Sequence, residues 1–317
     1  MSLRTRSLGT NGIDVTEVCF GTSPLAGMAR LYGYEVDERR AIETVLAVLD
    51  SPIRFIDTSN GYGENGTAER RIGAALREYG GLPGDVVLAT KVDPDPVTGD
   101  FSGARVRASL HESLERLGVD RVPLLHLHDP ERISFEQGTA VDGPVAALVA
   151  LRDEGVVDRI GVAGGPIGLL GRYLDTGAFD VLLSHNRHTL LDRSADELFQ
   201  QAHERGIGVL NAAPFGGGML AKGPAVQSGY AYGERDGRVA AAATAMQDAC
   251  LRHGISLAAA ALQFSLRSEF IDSTIVGIST PERVEQTLEH VDAEIPTELW
   301  AELEALVPSQ ELWLDRY

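Results

Sequence analysis

The sequence predicts a closed barrel of eight parallel β-strands, each followed by an α-helix. Short apolar runs rich in β-branched residues alternate along the chain with longer stretches whose apolar residues recur at helical spacing. Eight such pairs fit into 317 residues, and a composition that is 44% hydrophobic and 23% charged can fill a large core. This alternation is typical of a (β/α)8 or TIM barrel, and an open doubly wound sheet is the alternative.

The predicted strands are short apolar runs, and several of them end on a polar residue or a glycine. Strands of a parallel sheet are buried on both faces, so their sequences are almost continuously apolar. Segments of this kind would form the wall of the barrel. They are Val18–Gly21, Ile53–Asp57, Val86–Lys91, Leu124–His128, Ile160–Ala163, Val181–Ser184, Gly208–Ala212 and Thr274–Gly277.

Helical periodicity predicts a helix after each strand. Thr280 suits the N-cap of the last of these helices, and Pro281 suits its first position. Glycines that can adopt a left-handed conformation follow four of the helices, at Gly118, Gly155, Gly206 and Gly254. The predicted helices are Asp37–Asp50, Thr67–Tyr79, Gly103–Leu117, Gly143–Glu154, Ile167–Thr176, Ser194–Glu204, Val239–Arg252 and Pro281–Glu289.

Four segments fall outside the eightfold repeat. Arg4–Thr16 contains the turn sequence Thr10-Asn11-Gly12 between β-prone stretches, which predicts a hairpin that closes the bottom of the barrel. Ser256–Arg267 and Thr297–Leu306 are predicted as additional helices. Gly216–Gly233 is predicted to be a long loop above the seventh strand, where long loops are usually functional. The chain contains no linker-like stretch, so we expect one domain over residues 1–317.

Composition limits the class of function. The chain has 46 acidic and 28 basic residues, a formal charge of −18, which would repel nucleic acid and anionic membrane surfaces. We therefore expect a small-molecule partner. The two cysteines, Cys19 and Cys250, have neither disulfide-framework nor zinc-ligand spacing. Because the sequence also shows no signal peptide and no apolar run long enough to span a membrane, a cytoplasmic location is expected.

Ionisable side chains stand at or just after the ends of three neighbouring strands. Asp57, Lys91 and His128 each end an apolar run, and Tyr62 follows Asp57 in a glycine-containing loop. In a (β/α)8 barrel the active site lies at the carboxyl ends of the strands, so these four side chains are candidates for catalysis. Each one alone has an ordinary structural explanation, such as a cap, an ion pair or a buried histidine. Their occurrence together favours a catalytic site.

The motif around these residues resembles that of the aldo-keto reductases. The string Phe55-Ile56-Asp57-Thr58-Ser59-Asn60-Gly61-Tyr62-Gly63 has the family's aspartate followed five positions later by a tyrosine. Lys91, the triplet His128-Asp129-Pro130 and the triplet Ile160-Gly161-Val162 stand where the family pattern has its counterparts. The likeness covers nearly the whole chain. It implies an NAD(P)-dependent oxidoreductase that passes hydride between a nicotinamide cofactor and a carbonyl or aldose substrate.

The resemblance also implies a role for each candidate. Tyr62 would be the general acid or base, but a phenol titrates near 10 in water and needs a neighbouring cation to favour phenolate. Lys91 would supply that cation. Asp57 would neutralise and position the lysine, because a buried ammonium is costly without a partner. His128 would donate a hydrogen bond to the substrate oxygen.

The resemblance also implies which residues of this chain contact the cofactor. Arg283 suits the 2′-phosphate of NADP, whereas Gly277 stands where NADP-specific members commonly have lysine, so NAD stays open. Ala212 and Ala163-Gly164 replace a stacking tyrosine and a serine-asparagine pair of the family pattern, which makes the expected cofactor pocket unusual. The implied cofactor-binding residues are Gly21, Thr22, Asp57, Ser184, Pro214, Phe215, Gly216, Gly218, Gly277, Ser279, Arg283 and Gln286.

These departures, with the stretch Arg187–Asp192, resemble the branch of the family that holds bacterial D-threo-aldose, L-fucose and pyridoxal dehydrogenases. Two other functions are weighed against it. One is a cofactor-binding regulatory subunit with little turnover. The other is a metal-dependent barrel hydrolase using His126 and His128, although further metal ligands are not evident and His126 is better explained as an interior residue below the site. Trp313 and Tyr317 could line the substrate mouth or pack on the barrel rim.

Overall fold

The structure is a computed structural model that describes residues 2–10, 12–233 and 236–315, with only the backbone described at residue 30. Strands β3 to β10 form a closed barrel in chain order, all parallel, and β10 pairs with β3. The predicted (β/α)8 barrel is confirmed, and the open doubly wound sheet is wrong. The strands are β1 Thr5–Ser7, β2 Asp14–Thr16, β3 Val18–Gly21, β4 Phe55–Asp57, β5 Val87–Val92, β6 Leu124–His128, β7 Arg159–Gly164, β8 Val181–His185, β9 Gly208–Ala212 and β10 Ser273–Gly277.

Every predicted helix is present, with ends that differ by a few residues. The four glycines expected to end helices all have positive φ; Gly118, for example, has φ 70° and donates its N–H to Leu114. Thr280 is the N-cap residue before Pro281, although its side chain makes no capping hydrogen bond. The helices are α1 Ala29–Tyr32, α2 Glu38–Asp50, α3 Thr67–Tyr79, α4 Gly103–Leu117, α5 Phe135–Gly138, α6 Pro144–Asp153, α7 Ile167–Asp175, α8 Asp196–Glu204, α9 Met219–Lys222, α10 Gly237–Arg252, α11 Leu257–Leu266, α12 Pro281–Asp292 and α13 Thr297–Ala305.

Short helices inside the loops were not expected from the sequence. Helices α1 and α5 lie in the loops after β3 and β6, and the stretch Gly216–Gly233 contains a 3-10 turn followed by α9. Pieces this short have little periodicity, so no helical pattern can reveal them. They shape the rim of the barrel above the strand ends.

The N-terminal hairpin closes the amino-terminal end of the barrel, as predicted. Strands β1 and β2 pair antiparallel, and Leu8 packs into the apolar cluster of the barrel interior. The contact is close enough that a Cβ atom at Gly208 would lie 2.7 Å from Cγ of Leu8. Asn11, in the predicted turn, lies outside the described residues.

Side chains alternate between the barrel interior and the layer under the helices. Phe55, Ala89 and Leu124 belong to the interior cluster, whereas Ile56, Leu88 and Leu125 belong to the outer one. Because successive residues of a strand face opposite sides, Asp57, Lys91 and His128 must face inward with the first set. Among the described residues, none of the helices combines the length and the apolar character that a membrane span requires.

Candidate active site

A cavity of about 360 Å³ opens at the carboxyl ends of the barrel strands. Every barrel strand contributes to its lining, because the inward residue nearest each strand end faces the same space. Asp57, Lys91 and His128 form the polar part of the floor, and Ala212 and Ile275 lie on its apolar part. The site therefore joins ionisable groups and an apolar surface in one concave space.

Lys91 contacts two of the other predicted residues, Asp57 and Tyr62. Its Nζ atom lies 2.6 Å from Oδ2 of Asp57 and 3.1 Å from the hydroxyl of Tyr62, and it donates to the carbonyl of Thr58 at 2.8 Å. The Lys91 and Asp57 side chains are only 1% and 3% exposed. Burial raises the pKa of Asp57, and the Lys91 ammonium opposes that rise. We infer an ionised pair, since an isolated charge would be far more costly at this depth.

The loop after β4 folds back over β5 and brings Tyr62 to the lysine. Thr58 donates its N–H to the carbonyl of Ala89, and Asn60 donates to that of Lys91 at 3.2 Å. Two glycines allow the tight path: a Cβ atom at Gly61 would lie 2.6 Å from the carboxyl carbon of Asp93, and Gly63 has φ 81°. The spacing of five residues between Asp57 and Tyr62 is therefore what this turn requires.

Burial has the largest effect on the pKa of Tyr62. It raises the pKa of the phenol well above its usual range, and the nearby charge of Asp57 raises it further. Tyr62 in this structure is consequently a neutral phenol, able to donate a proton. The aromatic ring also lies under Lys91, with Nζ 4.7 Å from the ring centre.

His128 meets Tyr62 across the cavity floor, with ring centroids 5.5 Å apart and an edge-to-face orientation. Its Nδ1 atom lies 2.8 Å from Oδ1 of Asp93 and 3.0 Å from the hydroxyl of Ser59. Burial opposes a charge on the ring, but the carboxylates of Asp93 and Asp129 outweigh it and raise the pKa of His128. The four residues predicted from the motif are thus brought together.

A second charged region also lines the cavity. Lys222 from α9 and Arg283 from the first turn of α12 both line it. Partial burial lowers the pKa of Lys222, and the neighbouring charge of Arg283 lowers it further. Two cations that face one cavity at the N-terminal end of a helix are the kind of donor set that binds phosphate groups.

Comparisons with known proteins agree with this geometry. Residues 17–308 match the model of the aldo/keto reductase family. The chain belongs to the aldo/keto reductase family. It is 32% identical to a D-threo-aldose 1-dehydrogenase of Pseudomonas sp, covering 92% of this chain and 94% of that protein. It is 34% identical to an L-galactose dehydrogenase of Arabidopsis thaliana, covering 96% and 91%.

A solved structure supports the fold in the same way. An aldo-keto reductase of Bacillus halodurans superposes with a TM-score of 0.79 at 24% identity, covering 99% of this chain and 98% of that one. The resemblance deduced from the motif is confirmed. This aldo/keto reductase is accordingly an NAD(P)-dependent oxidoreductase.

The residues predicted to bind the cofactor divide into two groups. One group lines the cavity, and the donor set of Lys222 and Arg283 there fits a pyridine dinucleotide. The other group does not reach the lining in the part of the chain that the structure describes. The lining group is Gly21, Asp57, Pro214, Phe215, Gly218, Gly277 and Arg283, and the second group is Thr22, Ser184, Gly216, Ser279 and Gln286.

Local structure explains the second group. Thr22 donates its hydroxyl to the carbonyl of Asp57, so it braces two strand ends. Ser184 lies between the inward-facing Leu183 and His185 and therefore faces outward, which leaves His185 to line the cavity. Gly216 packs against the ring of Tyr230. Ser279 is buried away from the lining, whereas Gln286 is exposed on α12.

Several residues of the aldo/keto reductase site were missed by the sequence reasoning. Asp93 follows Lys91 by two positions, a spacing that puts both on one face of an extended chain and that could have revealed it. His185 was missed through the one-residue error at Ser184. Tyr32 and Tyr232 come from different loops, and their rings meet edge to face at 5.9 Å beside the cavity. No sequence signal joins these two tyrosines.

The remaining candidates lie away from the chemistry. His126 is fully buried beside Lys91, one layer below His128, and neither ring nitrogen has a hydrogen-bond partner among the described residues. Burial, with the charges of Lys91 and His128, holds its pKa well below the usual value. Trp313 donates its indole N–H to the carbonyl of Pro308 and lies outside the cavity lining. Tyr317 lies outside the described residues.

Proposed function

We propose that this enzyme oxidises or reduces a small aldose-type substrate at its carbonyl or lactol group. Tyr62 would be the proton donor or acceptor. The observation that carries the proposal is the 3.1 Å contact between Nζ of Lys91 and the Tyr62 hydroxyl at the floor of the cavity. The relatives named as D-threo-aldose and L-galactose dehydrogenases favour a sugar, and a pyridoxal 4-dehydrogenase of Microbacterium luteolum at 29% identity favours an aromatic aldehyde as the second candidate.

The tetrad would handle the proton. In reduction, the neutral Tyr62 phenol donates its proton to the substrate oxygen as that oxygen becomes negative. In oxidation, the phenolate accepts the proton of the substrate hydroxyl, and the Lys91 ammonium beside it stabilises the anion. Asp57 keeps the lysine charged and in place. The nicotinamide cofactor supplies or accepts the hydride.

Other lining residues fit a hydroxylated substrate. His128 would donate a hydrogen bond to the reacting oxygen. Asp129 and Arg132 lie beside it at the cavity mouth, paired at 2.8 Å, and can bind further hydroxyl groups. Asp129 has φ 43°, an uncommon conformation for a residue other than glycine, and such strain is found most often at binding sites.

We propose that residues of the apolar floor, together with the two cations, would hold the nicotinamide cofactor. Lys222 and Arg283 would bind its phosphates, and Pro214 and Phe215 would cover it. Arg283 could bind the 2′-phosphate of NADP, and NAD, which lacks that phosphate, stays an alternative. At the end of β8, His185 lines the cavity, although the resemblance implied its neighbour Ser184.

Location and partners follow from charge and thiol chemistry. The charge of −18 disfavours nucleic acid and anionic membranes as partners. Cys19 and Cys250 are both unpaired and buried, as suits a reducing compartment. We therefore propose a cytoplasmic enzyme that acts on small molecules as one barrel domain.

The test is a steady-state assay of the purified enzyme. NAD⁺ and NADP⁺ are each offered with a panel of aldoses, pyridoxal and simple aliphatic alcohols, and the reduced cofactors with the matching carbonyls. We expect turnover that is fastest with one of the hydroxylated substrates. If the protein binds cofactor but turns over none of these compounds in either direction, the proposal fails.

A further inference from the structure

A buried carboxylate stands behind His128, on the side away from the cavity. Asp93 follows β5 directly and is 2% exposed. Its Oδ1 atom lies 2.8 Å from Nδ1 of His128, and Oδ2 accepts hydrogen bonds from the N–H of Gly61 at 2.8 Å and from the hydroxyl of Ser59. Three groups from two segments thus converge on one side chain.

This hydrogen-bond pattern determines which nitrogen of His128 carries a proton. An ionised carboxylate can only accept, so the proton between Asp93 and the ring belongs to Nδ1. The Ser59 hydroxyl gives its own proton to Asp93, so its oxygen can only accept from Nδ1. Both neighbours of Nδ1 therefore require the Nδ1–H form, and Nε2 is left to face the cavity, 3.6 Å from Asp129.

We propose that Asp93 is a positioning residue for His128: its carboxylate keeps the proton on Nδ1 and directs Nε2 toward the substrate oxygen. The inference rests on the proposed function, because it assigns a task to a residue of the same site. A histidine held in this way donates from Nε2 only as imidazolium. In its neutral form, Nε2 is an acceptor.

The surroundings favour the imidazolium. Although burial alone would raise the pKa of Asp93, the charge and hydrogen bonds of His128 and Ser59 hold it well below its ordinary value. The carboxylates of Asp93 and Asp129 in turn raise the pKa of His128 against burial. The titratable and charged groups that face His128 are Asp57, Tyr62, Lys91, Asp93, His126, Asp129, Glu131, Arg132 and His185.

This arrangement sets the sign of the pH dependence. The raised pKa means that His128 is charged below it and loses its proton as pH rises through it. Carbonyl reduction needs the charged donor, so its rate falls over that interval. Removing the Asp93 charge lowers the pKa, so the fall should move to lower pH.

The decisive variant is Asp93→Asn, compared with Asp95→Asn as a matched control. Asp95 is a partly exposed carboxylate two residues further along that accepts hydrogen bonds from the N–H groups of Val97 and Thr98, and asparagine can keep them. We expect Asp93→Asn to lower kcat for reduction roughly tenfold with KM little changed, since a charge-assisted hydrogen bond is lost. Its pH profile should shift to lower pH, while Asp95→Asn should match the parent enzyme.

Two further measurements keep the inference open to refutation. In ¹⁵N-histidine spectra of the parent enzyme, the signals of His128 are identified by their loss in His128→Gln. At pH values above the pKa of His128, these signals should show the Nδ1–H form. An Nε2–H form there would overturn the inference even if Asp93→Asn did not fold. Adding Asp93→Asn to His128→Gln should change kcat no further, and a full additional loss would show that Asp93 acts elsewhere.

The spectra also separate the two proposals. They need no turnover, so an inactive parent enzyme with the Nδ1–H form would refute the proposed function and leave the positioning intact. An active enzyme whose His128 titrates identically in the parent and in Asp93→Asn would refute the positioning role and leave the proposed function intact.

Discussion

The ammonium nitrogen of Lys91 lies 3.1 Å from the hydroxyl oxygen of Tyr62, at the floor of a cavity built from every strand of the barrel. Lys91 is the penultimate residue of β5, whereas Tyr62 belongs to the loop after β4. The contact joins a fixed positive charge to a group that burial keeps protonated. Most of the predictions below follow from this pair.

Replacing Tyr62 by phenylalanine removes the proton donor and leaves the ring in place. We expect kcat/KM to fall by roughly 10² to 10⁴-fold, the usual range for a general acid or base. Cofactor affinity, measured by fluorescence titration, should stay nearly unchanged. Tyr79→Phe serves as the control, because Tyr79 is 41% exposed at the end of α3. Retained turnover in Tyr62→Phe would refute the assignment.

Lys91→Met should destabilise the fold as well as abolish activity. It leaves the Asp57 carboxylate buried without its cation, a change that costs about 3–5 kcal/mol in comparable pairs. Urea denaturation measures the free energy of unfolding. Adding Asp57→Asn should recover part of the loss, and a double variant no more stable than the single one would contradict the ion-pair explanation.

A surface pair provides the comparison for that experiment. Arg107 and Glu154 pair at 2.6 Å, but their side chains are about half exposed. Since solvent screens an exposed pair, Arg107→Met should have little effect on the free energy of unfolding.

Oxidation should speed up as pH rises. Burial and the charge of Asp57 raise the pKa of Tyr62, so the phenolate that accepts the substrate proton becomes more abundant toward alkaline pH. We expect kcat/KM for oxidation to climb between about pH 6 and 10 without reaching a plateau below the usual phenol range. A profile that is flat from neutral pH upward would argue that another group accepts the proton.

Arg283 should distinguish the two cofactors. If its guanidinium binds the 2′-phosphate, Arg283→Ala should weaken NADPH binding by roughly tenfold to a hundredfold and leave NADH binding almost unchanged. Arg77→Ala, a change of an exposed arginine on α3, is the control. Equal weakening of both cofactors would instead assign Arg283 to the phosphates that they share.

The barrel, its hairpin and its additional helices were predictable because they depend on repeated patterns. Apolar runs such as Leu124–His128 are long enough to be recognised as strands, and helix ends are marked by glycines such as Gly118. The short helices α1, α5 and α9 were not predicted, since a single turn has almost no periodicity. The catalytic candidates were found because Asp57 and Tyr62 share one short motif, and Lys91 and His128 each end an apolar run.

Some residues predicted to bind the cofactor do not line the cavity, for a geometric reason. Successive strand residues face opposite sides, so at the end of β8 Ser184 faces outward and His185 lines the cavity. Lys222 and Arg283 are far apart in sequence, and their approach depends on how the loop after β9 folds over the barrel. No local pattern encodes that approach.

Short-range patterns in the sequence are enough to predict the barrel and to place Asp57, Tyr62, Lys91 and His128 at or just after the ends of strands. What surrounds those residues depends on the tertiary fold. Asp93 and His128 are 35 positions apart, and they meet because β5 and β6 pair in a register that places their ends side by side. The charge and direction of His128 follow from that meeting, since a ring nitrogen takes its proton state from whatever group lies within hydrogen-bond distance.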